Sequence, residues 1–307
     1  MATLLQHLVN GVSLGSIYAL IALGYTLVYG ILRLINFAHG DLFMLAAYAA
    51  IGTCAALGLG DATAASVPVS SWGAFAVVLL ASMAAAALAG ALVERLAYRP
   101  LRGQPRLNLL ITAVGVSLLL ENGTQALLGA NPRRFPELVV DAPAFSLGGA
   151  SVSTLDCTVL ATALALMAGL DFWVHRTRQG RAMRAVSHSH ETAALLGIPV
   201  DRVIAVTFAV GSALAAAAAV LYGARYPKVD PLMGVMPGLK AFVAAVLGGI
   251  GSLRGAVLGA MILGLAETLM AAYGASTWRD ALAFGLLIVI LLFKPAGLLG
   301  TYQREKV

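Results

Sequence analysis

Charged and amide side chains are scarce in this chain, so those lying inside apolar runs stand out. Asn36, His39 and Asp41 fall in INFAHGDLFML (Ile35–Leu45), where Gly40 relieves backbone crowding. Glu121, Lys240 and Glu267 are three further charges within apolar runs. An ionisable group at the centre of a membrane span costs about 2.5–3.5 kcal/mol on insertion scales, so it normally faces a partner or a water-filled path. These six residues are therefore candidates to line a translocation path. Two plainer readings compete. The first island could be a helix mouth near the inner interface, marked by Arg33 and capped by Asn36 and Asp41. The other three charges could form structural pairs across helices, although the sequence assigns no pairs. No nucleophile–base set, metal cluster or paired-carboxylate site appears, so the chain reads as no enzyme, with no cofactor or metal of its own. His188 and His190 stand two apart without further ligands, which suits solvated side chains better than a metal.

A second feature is the longest polar interruption, HRTRQGRAMRAVSHSHETAALLGIPVD (His175–Asp201). Arg181 and Arg184 stand three apart on one face of a short helix. Ala182, Met183, Ala185 and Val186 supply apolar surface, and TAALL (Thr192–Leu196) continues helically. Gly197 and Pro199 stop the helix, glycine at the C-cap and proline just beyond. The spacing predicts a short amphipathic helix pair that ends sharply before Arg202. An ordinary basic loop touching anionic lipid would need neither the apolar stripe nor the stop.

The glycine-rich island VLGGIGSLRGAVLGA (Val246–Ala260) implies a broken helix or tight turn between two spans. Gly255 and Gly259 have the GxxxG spacing of close helix contact. Gly249, Gly251 and Gly255 miss both the dinucleotide and the P-loop spacing, and no βαβ context surrounds them.

The elements that must position these groups follow from composition. Of 307 residues, 60% are hydrophobic and 11% charged, with a mean hydropathy of +0.89. Soluble domains carry about 25% charged residues, so the chain reads as an all-α polytopic membrane protein. Thirty-three glycines and alanine tracts such as Ala84–Ala87 and Ala215–Ala219 suit helices that pack closely in lipid. Apolar runs place about nine spans (eight to ten) near 8–32, 34–58, 70–92, 108–129, 155–174, 202–223, 238–251, 255–272 and 280–293. The seventh and ninth are short, as for re-entrant or half-helical segments. The N-terminus lacks the basic region of a cleaved signal peptide and is expected to remain as the first span. The stretch 130–154, rich in proline and glycine, suits a surface hairpin. Asn122-Gly123-Thr124 matches a glycosylation sequon by chance, inside an apolar run. Cys54 and Cys157 read as small core residues without a disulfide.

Orientation follows from Lys and Arg. With the N-terminus outside and nine crossings, the inside holds Arg33, Arg95, Arg99, Arg102, Arg106, Arg176, Arg178, Arg181, Arg184, Arg202, Arg254, Lys294, Arg304 and Lys306. Those 14 face five outside (Arg133, Arg134, Arg225, Lys228 and Arg279), a bias that supports an outside N-terminus and a cytoplasmic C-terminus. The same bias accounts for the net charge of +6 without nucleic acid.

Five stretches in order resemble one family, the LivH-type permease subunits of branched-chain amino-acid ABC importers. They are NGVSLGSIYALIALGYTLVYGILRLINFAHGD (Asn10–Asp41), ERLAYRPLR (Glu94–Arg102), the GRAMRAV…ALLGIPVDRVIAVTF region (Gly180–Phe208), GLKAFVAAVLGGIGSLRGAVLGAMILGLAE (Gly238–Glu267) and KPAGLLG (Lys294–Gly300). The resemblance spans nearly the whole chain. It implies one transmembrane permease domain over 1–307, in a bacterial inner membrane. It also implies a second homologous permease, two cytoplasmic subunits that bind the ATP, and a periplasmic substrate-binding protein. In that family the Gly180–Pro199 region corresponds to the loop that docks on the ATPase, here Gly180, Arg181, Arg184, Leu196, Gly197 and Pro199 within a coupling loop at 175–201. One departure is Ser187-His188-Ser189-His190-Glu191, where relatives often carry an acidic or amide residue with Asp. The docking surface is expected to be less acidic than usual. The rival reading is a stand-alone ion-coupled secondary transporter or channel, which could also carry Gly-broken spans and intramembrane acids such as Asp41 and Glu267 but needs no docking helix.

Overall fold

The computed structural model describes residues 2–59, 72–274 and 276–300; Arg304 and Lys306 of the charge count lie outside them. Backbone polar groups in lipid must be satisfied within the segment, which for an apolar chain leaves helices. Eleven α-helices account for most of the described residues: α1 (Ala2–Leu32), α2 (His39–Ala56), α3 (Trp72–Val93), α4 (Arg106–Leu128), α5 (Thr154–Arg176), α6 (Arg178–His188), α7 (His190–Leu195), α8 (Val200–Arg225), α9 (Val235–Gly248), α10 (Leu253–Tyr273) and α11 (Arg279–Phe293). A π-helical turn at Glu94–Tyr98 and a 3-10 turn at Arg99–Leu101 extend α3. Among the described residues, seven helices are long and apolar enough to cross a membrane. Those of α1, α3, α4, α5, α8, α10 and α11 qualify, the last with its preceding 3-10 turn Ser276–Trp278.

α1 and α8 form the centre. Ile17 and Ala19 to Ala22 of α1 are almost wholly covered, as are all five alanines of Ala215–Ala219. The alanines of Ala84–Ala87 behave differently, for only Ala86 is buried, and Ala84 and Ala85 are exposed. α1 crosses α10 where Gly11 and Gly15 meet Gly264 and Met261. A Cβ on Gly264 would stand 2.5 Å from the Gly15 Cα, so only glycine permits this approach. Small residues at a crossing replace the hydrophobic drive that lipid removes.

The two ends of the bundle differ. At one end, β2 (Pro143–Leu147) and β3 (Ala150–Ser153) form the expected antiparallel hairpin, and β1 (Arg133–Arg134) pairs β4 (Lys228–Val229). The hairpin rests on the start of α1, where Gln6 Oε1 accepts from the Ser151 amide at 2.8 Å. Ser153 and Asp156 form a capping box that starts α5, and Asp156 holds Arg225 of α8 at 2.6 Å. The other end carries α6, α7 and the close of α1.

α2 and α9 are the exceptions to end-to-end crossing. The expected second span began at residue 34, but the helix starts at His39. Arg33 takes a left-handed conformation with φ 51°, and residues 33–38 turn the chain back into the bundle. The His39 ring then lies edge-on to Tyr25 at 4.6 Å and against Gly24, eight residues, or about 12 Å, from the end of α1. α9 begins beside it. A Cβ on Gly40 would stand 2.6 Å from the Gly234 carbonyl oxygen. From this head-to-head start α2 runs toward the hairpin end, where Tyr48 meets Arg133, and α9 runs the opposite way. The glycine-rich island closes α9 in a tight turn, with Gly255 and Gly259 packed on Gly248 and Ala244. The KPAGLLG segment folds back onto that turn, Leu298 and Leu299 donating amides to Leu247 and Gly248. Cys54 and Cys157 are both free thiols.

Candidate functional site

The basic stretch forms the expected helix pair. Thr177 caps α6 by accepting from the Gly180 amide at 3.1 Å. Gly180 is buried so tightly that a Cβ would run into the carbonyl oxygens of Trp173 and Val174. Gly180, Met183 and Val186, spaced by three, make the buried stripe that seats α6 on the bundle. The two arginines divide. Both are exposed, but the Arg184 guanidinium also donates to the Val174 carbonyl at 2.7 Å and so closes an orphan acceptor at the end of α5. α7 ends at Gly197, φ 76°, whose amide and that of Ile198 return to Ala194 and Ala193. Pro199 caps α8. At the tip, Leu195 and Leu196 are 88% and 74% exposed, side by side and away from the apolar spans.

The unusual Ser-His-Ser-His-Glu segment has an internal task. Ser189 caps α7 by accepting from the Thr192 amide at 3.2 Å, and His190 Nε2 sits 3.0 Å from the Ile31 carbonyl oxygen. It thereby fastens the helix pair to the end of α1. No group of three potential metal ligands exists among the described residues.

A polar network that the sequence did not announce lies beside this loop. Asp201, in the first turn of α8, takes Arg99 on one oxygen and Arg102 on the other, the latter at 2.5 Å. Arg102 also pairs with Glu94, which is 1% exposed. Burial pulls the Arg102 guanidinium below its ordinary value, and the Asp201 carboxylate pulls it back. The π-helical turn brings Tyr98 inward, where its hydroxyl donates to Asn36 Oδ1 at 2.7 Å. Charge-assisted bonds thus join the start of α8 to the end of α3, and a neutral hydrogen bond continues to the start of α2. The only sequence signal was the charge run of ERLAYRPLR next to a helix end.

The path candidates separate into two groups. At the start of α2, Asn36, His39 and Asp41 are each no more than 3% exposed. Neither Asn36 nor Asp41 caps the helix, since Ala38 is the N-cap and no side chain bonds there. Asn36 Nδ2, His39 Nε2 and Asp41 Oδ2 have no hydrogen-bond partner. Asp41 faces Ser117 and Glu121 of α4, which corrects the reading that no paired carboxylates occur. The pair was hidden because 80 residues separate its members.

The second group is an ion cluster that runs from buried Lys240 and Glu267 out to half-exposed Asp280. Lys240 Nζ lies 2.7 Å from both Glu267 Oε1 and Asp280 Oδ1, Arg279 reaches Glu267 at 3.1 Å, and Tyr18 donates to Glu267 Oε2 at 3.0 Å. It ties α9 to α1, α10 and α11. Among the described residues no hydrogen bond or ion pair joins the two groups.

Comparison with known proteins adds to this geometry. A family profile described as branched-chain amino acid transport system / permease component matches residues 7–291. The high-affinity branched-chain amino acid transport system permease protein BraD of Pseudomonas aeruginosa is 44% identical, over 99% of this chain and 98% of its own. The permease protein LivH of the corresponding system in Escherichia coli is 42% identical, over 99% and 97%. A more distant relative is the fructose import permease protein FruG of Bifidobacterium longum, 24% identical over 70% of this chain and 64% of its own. No solved structure matches the chain.

Proposed function

The chain belongs to the branched-chain amino acid transport permeases, and from that premise we propose how its two ends and its broken helices divide the work of import. It is a multi-pass protein of the bacterial inner membrane and a permease subunit of an ABC importer for branched-chain amino acids. The chain acts as one domain. The end carrying α6 and α7 faces the cytoplasm, the hairpin end faces outward, and the N-terminus is outside. The segments that hold α2 and α9, each a shorter helix together with the non-helical residues before it, complete nine crossings with the seven long helices. The positive-inside rule supports this arrangement, since the arginine-rich loops gather at the α6–α7 end.

Two cytoplasmic ATP-binding subunits supply the energy and hold all the ATP; this chain is the moving partner. They dock on the α6–α7 pair. The observation that carries this reading is the bare Leu195–Leu196 tip, which stands on a loop pinned at Gly180, His190 and Gly197. Exposed apolar side chains at a polar end mark a protein contact. Arg181 adds docking charge. A periplasmic binding protein delivers substrate at the hairpin end, and a second homologous permease completes the transmembrane unit. Closure of the ATPases moves the loop. The Asp201–Arg102–Glu94 network and the Tyr98–Asn36 bond carry that displacement to the start of α2, where Asn36, His39 and Asp41 line the path together with Glu121. The substrate needs only differential affinity between inward and outward states to follow the change. Lys240 and Glu267 hold the half-helix α9 in place rather than lining the path.

The test is leucine uptake by vesicles reconstituted with the complete complex. Wild-type uptake stops without the ATP-binding subunits, and Leu195→Asp with Leu196→Asp reduces it at least about tenfold while the chain still inserts. Uptake that persists without those subunits would make the chain a secondary transporter instead.

A further inference from the structure

Two carboxylates lie buried deep in the bundle, and their surroundings are opposite. Glu267 is surrounded by Lys240, Arg279 and the Tyr18 hydroxyl, so its charge is fully answered from within the chain. Asp41 is 2% exposed and has no Lys or Arg partner among the described residues, and its Oδ2 has no hydrogen-bond partner at all. It faces a second carboxylate, Glu121, and the hydroxyl of Ser117. Glu121 and Ser117 on α4 are half-buried, whereas Asp41 is fully covered. Asn36 Nδ2 and His39 Nε2, close by in sequence, are likewise buried without partners.

Two carboxyl groups in contact in a low-dielectric interior, with no Lys or Arg beside Asp41 among the described residues, are costly to hold charged together because like charges repel. A buried polar atom left unsatisfied calls for a partner, which a passing ligand can supply. What fits here is a compact cation carrying several donors. A primary ammonium has three N–H groups and no acceptor, and the site offers three oxygen-bearing groups: two carboxylates and one hydroxyl.

We propose that Asp41, Glu121 and Ser117 form the station that receives the α-ammonium group of an amino acid as it passes through the permease. This rests on the transport function proposed above and adds the feature of the substrate that the membrane subunit itself recognises. The station reads the ammonium, which all amino acids share, and not the branched side chain. It excludes neutral sugars and simple carboxylic acids, which carry no cation.

The proposal is tested with the full complex in proteoliposomes, measuring ATP-driven leucine uptake. Asp41→Asn and Glu121→Gln each lower uptake at least about tenfold while the complex still co-purifies with its partner subunits. Ser117→Ala lowers it a few-fold. The exchange variant Asp41→Glu with Glu121→Asp, which keeps both charges, stays within about threefold of wild type. Two results would overturn the proposal. One is near-wild-type uptake in both amide variants, as expected for a pair that merely shares a proton, because an amide mimics the neutral acid. The other is an exchange variant as inactive as the amides, which would make packing the cause. Failure of the underlying transport reading looks different, since wild-type uptake would then not require the ATP-binding subunits.

Discussion

At the scale of single residues, position in the chain was a good guide to which polar groups are buried and a poor one to what they touch. Lys240 and Glu267 stand out by being charged among apolar neighbours, yet Glu267 is bonded to Tyr18, 249 residues away. Asp41 and Glu121 are equally conspicuous, and their pairing is equally invisible until α2 and α4 are side by side. Arg184 illustrates the converse: exposed like Arg181 three residues before it, it also bonds the open carbonyl of Val174. A helix end leaves such acceptors, and the sequence does not say which donor will fill them. The Lys240 cluster makes a quantitative prediction. Lys240→Met leaves Glu267 buried with less compensation and costs about 3–5 kcal/mol, read as a fall in the unfolding midpoint of the detergent-purified protein. Lys240→Met with Glu267→Leu recovers much of that loss, since apolar replacement of a buried pair is often nearly neutral. A double variant as unstable as the single one would mean that Arg279 and Asp280 depend on Glu267 more than the geometry indicates.

At the scale of elements, the apolar runs located every long helix to within a few residues, and α9 was legible as a short one. The late start of α2 was not. Residues 34 to 38, LINFA, are as apolar as a span, and nothing in their hydropathy reports that the backbone reverses at Arg33 before the helix begins. Glycine was the recoverable signal. Gly40, Gly234 and Gly238 come from segments nearly 200 residues apart, and together they let two helix starts touch where any side chain would intrude. The junction is therefore sensitive to volume. Gly40→Val should cost about 1–3 kcal/mol by overpacking and reduce uptake sharply, whereas Gly52→Val, on the same helix with open space around its Cβ position, should leave uptake near wild type. Equal behaviour of the two variants in an uptake assay would remove the junction from the account.

At the scale of the whole molecule, composition was enough for a polytopic helical protein. The hairpin, the helix pair and the glycine-rich turn each sit where turn chemistry placed them. The organisation between them emerges only in three dimensions. The loop at one end is joined to the start of α2 by Asp201, Arg102, Tyr98 and Asn36, drawn from three separate stretches of chain. In the reading proposed above, that arrangement gives the docking loop a mechanical route to the start of α2. The most direct measurement of it is capture of the partner. In a variant with Cys54→Ala and Cys157→Ala, Leu196→Cys carrying a photoreactive thiol label is illuminated in the assembled complex. The account predicts a crosslink to a cytoplasmic ATP-binding subunit, at a yield that changes between ATP-bound and nucleotide-free states. A label that reaches only lipid or the outer binding protein, in a complex that still imports leucine, would contradict it.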